Sequence, residues 1–387
     1  MRVLIAADKF KGSLTGQQVA VAIKKGLRLA SLNSLDSTSA KIEVHHCTVS
    51  DGGEGFLNAV ATALPDAKRL NCSTVDPLDR PIETEFLLQS VERTAYVELA
   101  GASGYQCLSD DERDPSKTST RGTGMVIRQA IKAGATTVYV GIGGSATNDG
   151  GIGIASALGY RFLDQHGLEL KPIGQSLASI RTIKPPTTGT ESVRFFVIND
   201  VNNPLFGPNG AAYVYAAQKG ADAAMIQRLD AGLRNLDSCV KQDLGIDASH
   251  HPGAGAAGGS GYGLQVFLNA TFCSGASFVL ELAGVHQLLQ SQPFDWIITG
   301  EGKLDHQTQS GKLIAEVART GQQHNVPVVA FCGVSDLSLA ETDELGLQAV
   351  LEIHNPKLRT VADSIANANC LLELLVTDWV NQIGFER

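Results

Sequence analysis

Apolar positions along this chain alternate between short runs that stop at polar or glycine residues and stripes at helical spacing that follow them. Residues 3–7 are such a run, ending at Asp8. The loop Asp8-Lys9-Phe10-Lys11-Gly12-Ser13 comes next. Thr15 and Gln18 then stand at capping-box spacing, and Val19, Ile23, Leu27 and Ala30 share one helical face. Residues 42–49 predict a second strand, which runs into Ser50-Asp51-Gly52-Gly53-Glu54-Gly55 and a helix bearing Phe56, Val60 and Leu64. Strand, loop and helix in that order, twice, predict a parallel sheet.

The middle of the chain reads differently. Residues 82–88 and 94–99 predict consecutive strands with no helix between them. Residues 137–142 predict a strand entering a glycine-rich loop, followed by a helix over 152–158, and residues 193–198 predict a strand entering Asn199-Asp200. Strand-helix alternation returns near the C-terminus: a strand over 296–299 followed by Gly300-Glu301-Gly302-Lys303-Leu304-Asp305, a helix over 312–319, strands over 326–331 and 349–353, and a closing helix over 361–383. The expected fold class is therefore α/β with two α/β domains. Residues 1–74 and 271–387 form one doubly wound parallel-sheet domain from both chain ends, and residues 75–270 form an inserted mixed α/β domain.

Composition narrows the class without naming it. A chain of 387 residues, 43% hydrophobic and 18% charged, is long enough for two cores and is not disordered. The net charge of −9 argues against nucleic-acid binding, which needs a basic face, but leaves room for a locally basic pocket. The 7 cysteines show no C-x-x-C spacing, which gives no support for a zinc or redox motif and fits a reducing, cytoplasmic location. No segment has the length and apolarity of a membrane span, and the short apolar start reads as a strand rather than a leader.

Candidate chemistry lies where the predicted strands end. The loop Gly141-Ile142-Gly143-Gly144-Ser145-Ala146-Thr147-Asn148-Asp149-Gly150-Gly151 separates a strand from a helix. Glycines bare the backbone N–H groups and a helix N-terminus favours anions, so this loop predicts a phosphate or carboxylate site. It also fits G-x-G-x-x-A, but four polar residues intervene before the helix, and 253–258 fits G-x-G-x-x-G with no strand before it. A nicotinamide-dependent oxidoreductase therefore stands as the rival enzyme class. There is no G-x-x-x-x-G-K-[ST] run and no protein-kinase signature. Acids cluster at strand ends: Asp8, Asp51 with Glu54, Asp200, and Glu301 with Asp305. Phosphoryl transfer uses carboxylates in such places to hold Mg2+ and to take a hydroxyl proton. Lys9, Lys11, Arg121, Lys219, Lys303 and Lys312 supply positive charge nearby in sequence.

Taken in order, these loops resemble the bacterial type I glycerate kinase family. The stretches that carry the resemblance are Asp8-Lys9-Phe10-Lys11-Gly12-Ser13-Leu14, Ser50-Asp51-Gly52-Gly53-Glu54-Gly55, Arg121-Gly122-Thr123-Gly124, residues 141–151, residues 200–205 with Asn209-Gly210-Ala211, Gln218-Lys219-Gly220-Ala221, residues 252–259, and residues 299–305 with Gly311-Lys312. They span nearly the whole chain. The resemblance implies a Rossmann-like domain built from both chain ends. It also implies ATP-dependent phosphorylation of D-glycerate to 2-phospho-D-glycerate, with 3-kinase regiochemistry or a non-catalytic glycerate sensor as alternatives.

Three positions depart from the family pattern: Met125 stands where a glutamate is usual, Ala216-Ala217 where Gly-Pro is usual, and Asn199 where a small residue is usual. The roles expected on chemical grounds, in a cleft between the domains, are Asp200 as general base, with Asp51 and Asp305 as catalytic metal ligands. Asp8, Lys9, Lys11, Ser13, Arg121, Ser145, Asn148 and Asp149 are expected to bind glycerate, Lys9 or Arg121 pairing with its carboxylate. Gly52, Gly53, Glu54, Gly143, Gly144, Lys219, Gly258, Gly259, Glu301, Gly302 and Lys312 are expected to bind ATP. A monomer or homodimer is expected.

Overall fold

The apolar run at the N-terminus forms a central strand, and its alternation shows why. Val3, Ile5 and Ala7 enter one hydrophobic cluster, while Leu4 and Ala6 enter another on the opposite face. A strand buried on both faces belongs inside a parallel sheet covered by helices on both sides. The computed structural model describes residues 1–33, 42–50, 52–187, 190, 192–305 and 313–384. In chain order its strands are β1 (Arg2–Ala7), β2 (Glu43–His46), β3 (Lys68–Val75), β4 (Pro81–Gln89), β5 (Thr94–Glu98), β6 (Thr137–Gly141), β7 (Arg161–Leu163), β8 (Thr182–Lys184), β9 (Arg194–Ile198), β10 (Thr271–Cys273), β11 (Trp296–Leu304), β12 (Val328–Ser335) and β13 (Ala349–Glu352).

The chain folds as two units, Met1–Ser50 with Ala276–Arg387 and Asp51–Gly275. The first is Rossmann-like. Its five-stranded sheet has the order β13-β12-β11-β1-β2, with every pair parallel. The strands at the two chain ends lie side by side in it, Val3 against Trp296 and Ala7 against Gly300. The helices Gly16–Asn33 and Ala368–Ile383 cover one face through Val19, Ile23, Leu372 and Trp379. The helix Leu313–His324 covers the other through Leu313, Ile314 and Val317. The capping box at the first helix forms: Thr15 N donates to Gln18 Oε1 at 2.8 Å and Gln18 N to Thr15 Oγ1 at 3.3 Å.

The second unit holds a six-stranded mixed sheet, β10-β9-β6-β5-β4-β3. From β5 to β10 the pairs are parallel; β3, β4 and β5 form an antiparallel meander. Tyr96, Tyr139 and Phe196 stack across β5, β6 and β9, with centroids 5.4 and 4.7 Å apart. β7 and β8 pair separately.

Three expectations differ from what forms. The boundary lies at 50–51 and 275–276 rather than near 74 and 270, because β3 pairs along its whole length with β4. The strand expected over 296–299 continues through Gly300 and Gly302 to Leu304, paired with β12 as far as Leu304 against Ser335. Glu301 and Gly302 therefore lie inside a strand and not in a loop after it. The closing helix is two, Val361–Ala366 and Ala368–Ile383, broken at Asn367 (φ −108°, ψ 11°), whose Nδ2 donates to Asp363 O at 2.9 Å.

Candidate active site

In the second unit, three polypeptide stretches meet beyond the carboxyl ends of β5, β6 and β9. The first is residues 52–55, the second residues 142–151, and the third begins at Asn199. Gly143 donates its N–H to Gly52 O at 3.1 Å. A Cβ on Gly143 would stand 2.4 Å from Gly53 Cα, so only glycine lets the two loops approach this closely. The predicted ATP-binding positions Gly52, Gly53, Glu54, Gly143 and Gly144 are thereby neighbours, with Glu54 N 4.0 Å from where a Cβ on Gly144 would lie. Glu98, at the end of β5, accepts from Leu57 N at 3.1 Å and anchors the helix Phe56–Ala63 behind them.

The far half of the 142–151 loop is held from inside the protein. Asp149 is fully buried, and its Oδ2 accepts from Thr120 N (2.7 Å), Thr120 Oγ1 (2.8 Å) and Gly153 N (3.3 Å), while Oδ1 accepts from Gly151 N (3.1 Å). Burial raises its pKa and these donors oppose the rise. The three amides can only donate, so the pocket is built for the carboxylate form. Lys219 is also buried, and its Nζ donates to Ser145 Oγ at 2.7 Å and to Thr147 O at 2.6 Å. Burial pushes this ammonium down to about 7, with the Asp149 charge opposing. Gly258 (φ +67°) closes the loop from the other side, because a Cβ there would stand 2.0 Å from Thr147 O. Ala257 and Gly259 flank it with positive φ as well, which interrupts the helix Ala256–Leu268.

Within this frame Asn148 is buried, and neither its Nδ2 nor its Oδ1 has a hydrogen-bond partner among the described residues; Thr147 Oγ1 is in the same position. Buried amides are nearly always paired, so three orphan polar atoms on adjacent residues mark a place shaped for a polar ligand. Asp200 lies just past β9, and its Oδ1 accepts from Ser274 Oγ at 2.9 Å and Gly275 N at 2.8 Å. The turn after it is pinned by Asn199 instead, through Val201 O (2.7 Å) and Val201 N (3.2 Å). Arg121 begins the helix Arg121–Lys132, but its guanidinium pairs with Asp79 at 3.0 Å on the surface, turned to a protein carboxylate.

The first unit gathers a second set. Beyond β1, Asp8 N donates to Gly300 O at 2.9 Å, Lys9 N to Asp8 Oδ1 at 2.7 Å, and Ser13 Oγ to Phe10 O at 3.1 Å. A Cβ on Gly302 would stand 2.9 Å from Lys11 N, which brings the Lys9-Lys11 loop against β11. Lys303 pairs with Asp336 at 2.7 Å. Asp305 follows β11 directly. Asp51 and Lys312 lie outside the described residues. Thr120 and Glu98 are the site-shaping residues that spacing does not single out. The run Thr118-Ser119-Thr120 before a helix is the available signal for the first.

A model described as the glycerate kinase family matches residues 3–383. The chain is 36% identical to a protein named glycerate kinase from Halalkalibacterium halodurans, over 96% of this chain and 95% of the relative. It is also 36% identical to one named glycerate 2-kinase from Escherichia coli, over 91% and 90%. A solved structure described as glycerate kinase 2 from Salmonella typhimurium superposes with TM-score 0.77 at 33% identity, covering 99% of this chain and 98% of that one.

Proposed function

This chain belongs to the glycerate kinase family, and from that membership we propose that it uses ATP and Mg2+ to phosphorylate D-glycerate at the 2-hydroxyl. The protein is an enzyme, a phosphotransferase acting on an alcohol group. The 2-hydroxyl is favoured by the name of the Escherichia coli relative. The observation that carries the reading is the 142–151 loop. Its glycine edge runs against Gly52 and Gly53, and the Thr147 hydroxyl and both Asn148 amide atoms are buried with no hydrogen-bond partner among the described residues, beside a buried ammonium.

Phosphoryl transfer asks a protein chiefly for positioning and electrostatic stabilisation. Gly143 and Gly144, with Gly52, Gly53 and Glu54, fit the nucleotide phosphates, because a backbone bare of side chains can approach anionic oxygens. Asn148 and Thr147 are proposed to meet the polar groups of glycerate. Asp149 and Lys219 act from beneath: Asp149 holds Thr120, Gly151 and Gly153, and Lys219 holds Ser145 and Thr147. Asp200, oriented by Ser274 and Gly275, accepts the proton of the glycerate hydroxyl as the new bond forms. When bound, Mg-ATP supplies the phosphoryl group. Mg2+ is usually held through one or two carboxylates together with phosphate oxygens, so no cluster of three acids is needed. None occurs among the described residues.

An ADP-release assay checks the reading. ADP should form only when D-glycerate and Mg2+ are both present. Oxidation of glycerate with a nicotinamide cofactor, with no ADP formed, would overturn it.

A further inference from the structure

Two buried donors outside the residues assigned above lie against the same loop. The Tyr105 hydroxyl and the Arg113 Nε are both shielded from solvent and have no hydrogen-bond partner among the described residues. They belong to one group: the Arg113 guanidinium carbon lies 5.6 Å from the centroid of the Tyr105 ring. Both are tied to the glycine-rich loop. Tyr105 N donates to Gly144 O at 3.2 Å, and its neighbour Gly104 bridges to Ser145, the residue that Lys219 holds. The Arg113 backbone is pressed against Gly220, next to Lys219, so closely that a Cβ on Gly220 would stand 2.1 Å from Arg113 O.

A guanidinium N–H buried without an acceptor is costly, and nothing but an acceptor can satisfy it. Side-on, Nε and a terminal nitrogen form the fork that grips two oxygens of a carboxylate or phosphate. The terminal nitrogen is engaged by Asp110 at 2.8 Å, but that carboxylate is 89% exposed, so the pair is solvated and easily exchanged. The other acids nearby have cations of their own: Glu112 pairs with Arg80, and Asp114 with Lys117. Burial pushes the Tyr105 phenol up to about 12, so it remains a donor at neutral pH. The Arg113 Nε–H can only donate and the Tyr105 hydroxyl is able to donate, so the two unpartnered groups suit a ligand group that accepts.

We infer that Arg113 and Tyr105 form an anion subsite beside the 142–151 loop, which takes a carboxylate or phosphate group of a substrate. The inference rests on the proposed function only for which molecule carries that group. Calorimetric titration of the full chain with D-glycerate, with ADP and with inorganic phosphate tests it, in wild type, Arg113→Gln and Tyr105→Phe, each checked by its melting temperature. Arg113→Gln should weaken one of the first two ligands about 10-fold or more and leave the other within about twofold. Tyr105→Phe should weaken the same ligand about 3- to 10-fold, and carries the test if Arg113→Gln does not fold. Selective loss of glycerate assigns the subsite to a carboxylate, and selective loss of ADP assigns it to a phosphate. If wild type binds neither, loss of phosphate binding in Arg113→Gln upholds the subsite and overturns the functional reading instead. Unchanged affinity for all three ligands, or equal loss of glycerate and ADP, overturns the subsite.

Discussion

At Asp200, one carboxylate oxygen already accepts from Ser274 and Gly275, and an asparagine there would keep an oxygen for both donors. Its basicity would be lost. Asp200→Asn is therefore expected to lower kcat about 10²- to 10⁴-fold while the melting temperature shifts little. Turnover and melting measured on one preparation check this, and near-normal turnover would remove Asp200 from the mechanism. Lys219 yields a prediction of a different kind. Folded, its ammonium loses its proton near about 7; unfolded, near the ordinary 10.5. Between those values the unfolded chain binds the extra proton, so stability rises with pH by up to about 1.4 kcal/mol per unit. Below that window the cost of burying the charge is fully present. Urea midpoints at pH 7, 8 and 9 should climb more steeply in wild type than in Lys219→Met, which has no ammonium to bury. Parallel curves would contradict a depressed Lys219.

Among the elements, the glycine-rich turns are where the fold admits least change. Gly258→Ala would drive a Cβ into the Thr147 carbonyl, an atom that cannot swing aside. It should cost about 1–3 kcal/mol, the usual range for overpacking. Gly134 also has positive φ but open space around it, so Gly134→Ala isolates the backbone term and should cost less. Equal losses in thermal melting would show that crowding at Thr147 is not what Gly258 relieves. These turns were legible because glycine density after an apolar run has few other causes. Elements whose buried face is not apolar were not legible. In β3 the buried residues are Cys72 and Thr74, with Lys68, Arg69, Asn71 and Ser73 outward, so no apolar run marks it. The helix Ala223–Leu244 buries Asp230 and Asp237, which break its apolar stripe. They are tolerated because Asp230 accepts from Gly207 N and Arg234, and Asp237 from Tyr262 and Lys241.

For the whole molecule, the Rossmann-like sheet could be read from both chain ends because a strand buried on two faces leaves an unbroken apolar run, as in β1 and at the start of β11. The candidate site could be read only in its loops. Its supports come from far along the chain: Thr120 reaches Asp149 from 29 positions away, and Lys219 reaches Ser145 from 74. No spacing rule encodes such pairs, which exist only once β6 and its neighbours have assembled. The chemistry proposed for that assembly is transfer of a phosphoryl group to the 2-hydroxyl of D-glycerate. Phosphorus NMR of the product formed from ATP, Mg2+ and D-glycerate decides it. The expected spectrum shows ADP and 2-phosphoglycerate appearing together in equal amounts. A spectrum with 3-phosphoglycerate, or with no phosphorylated product while glycerate is consumed, would contradict it.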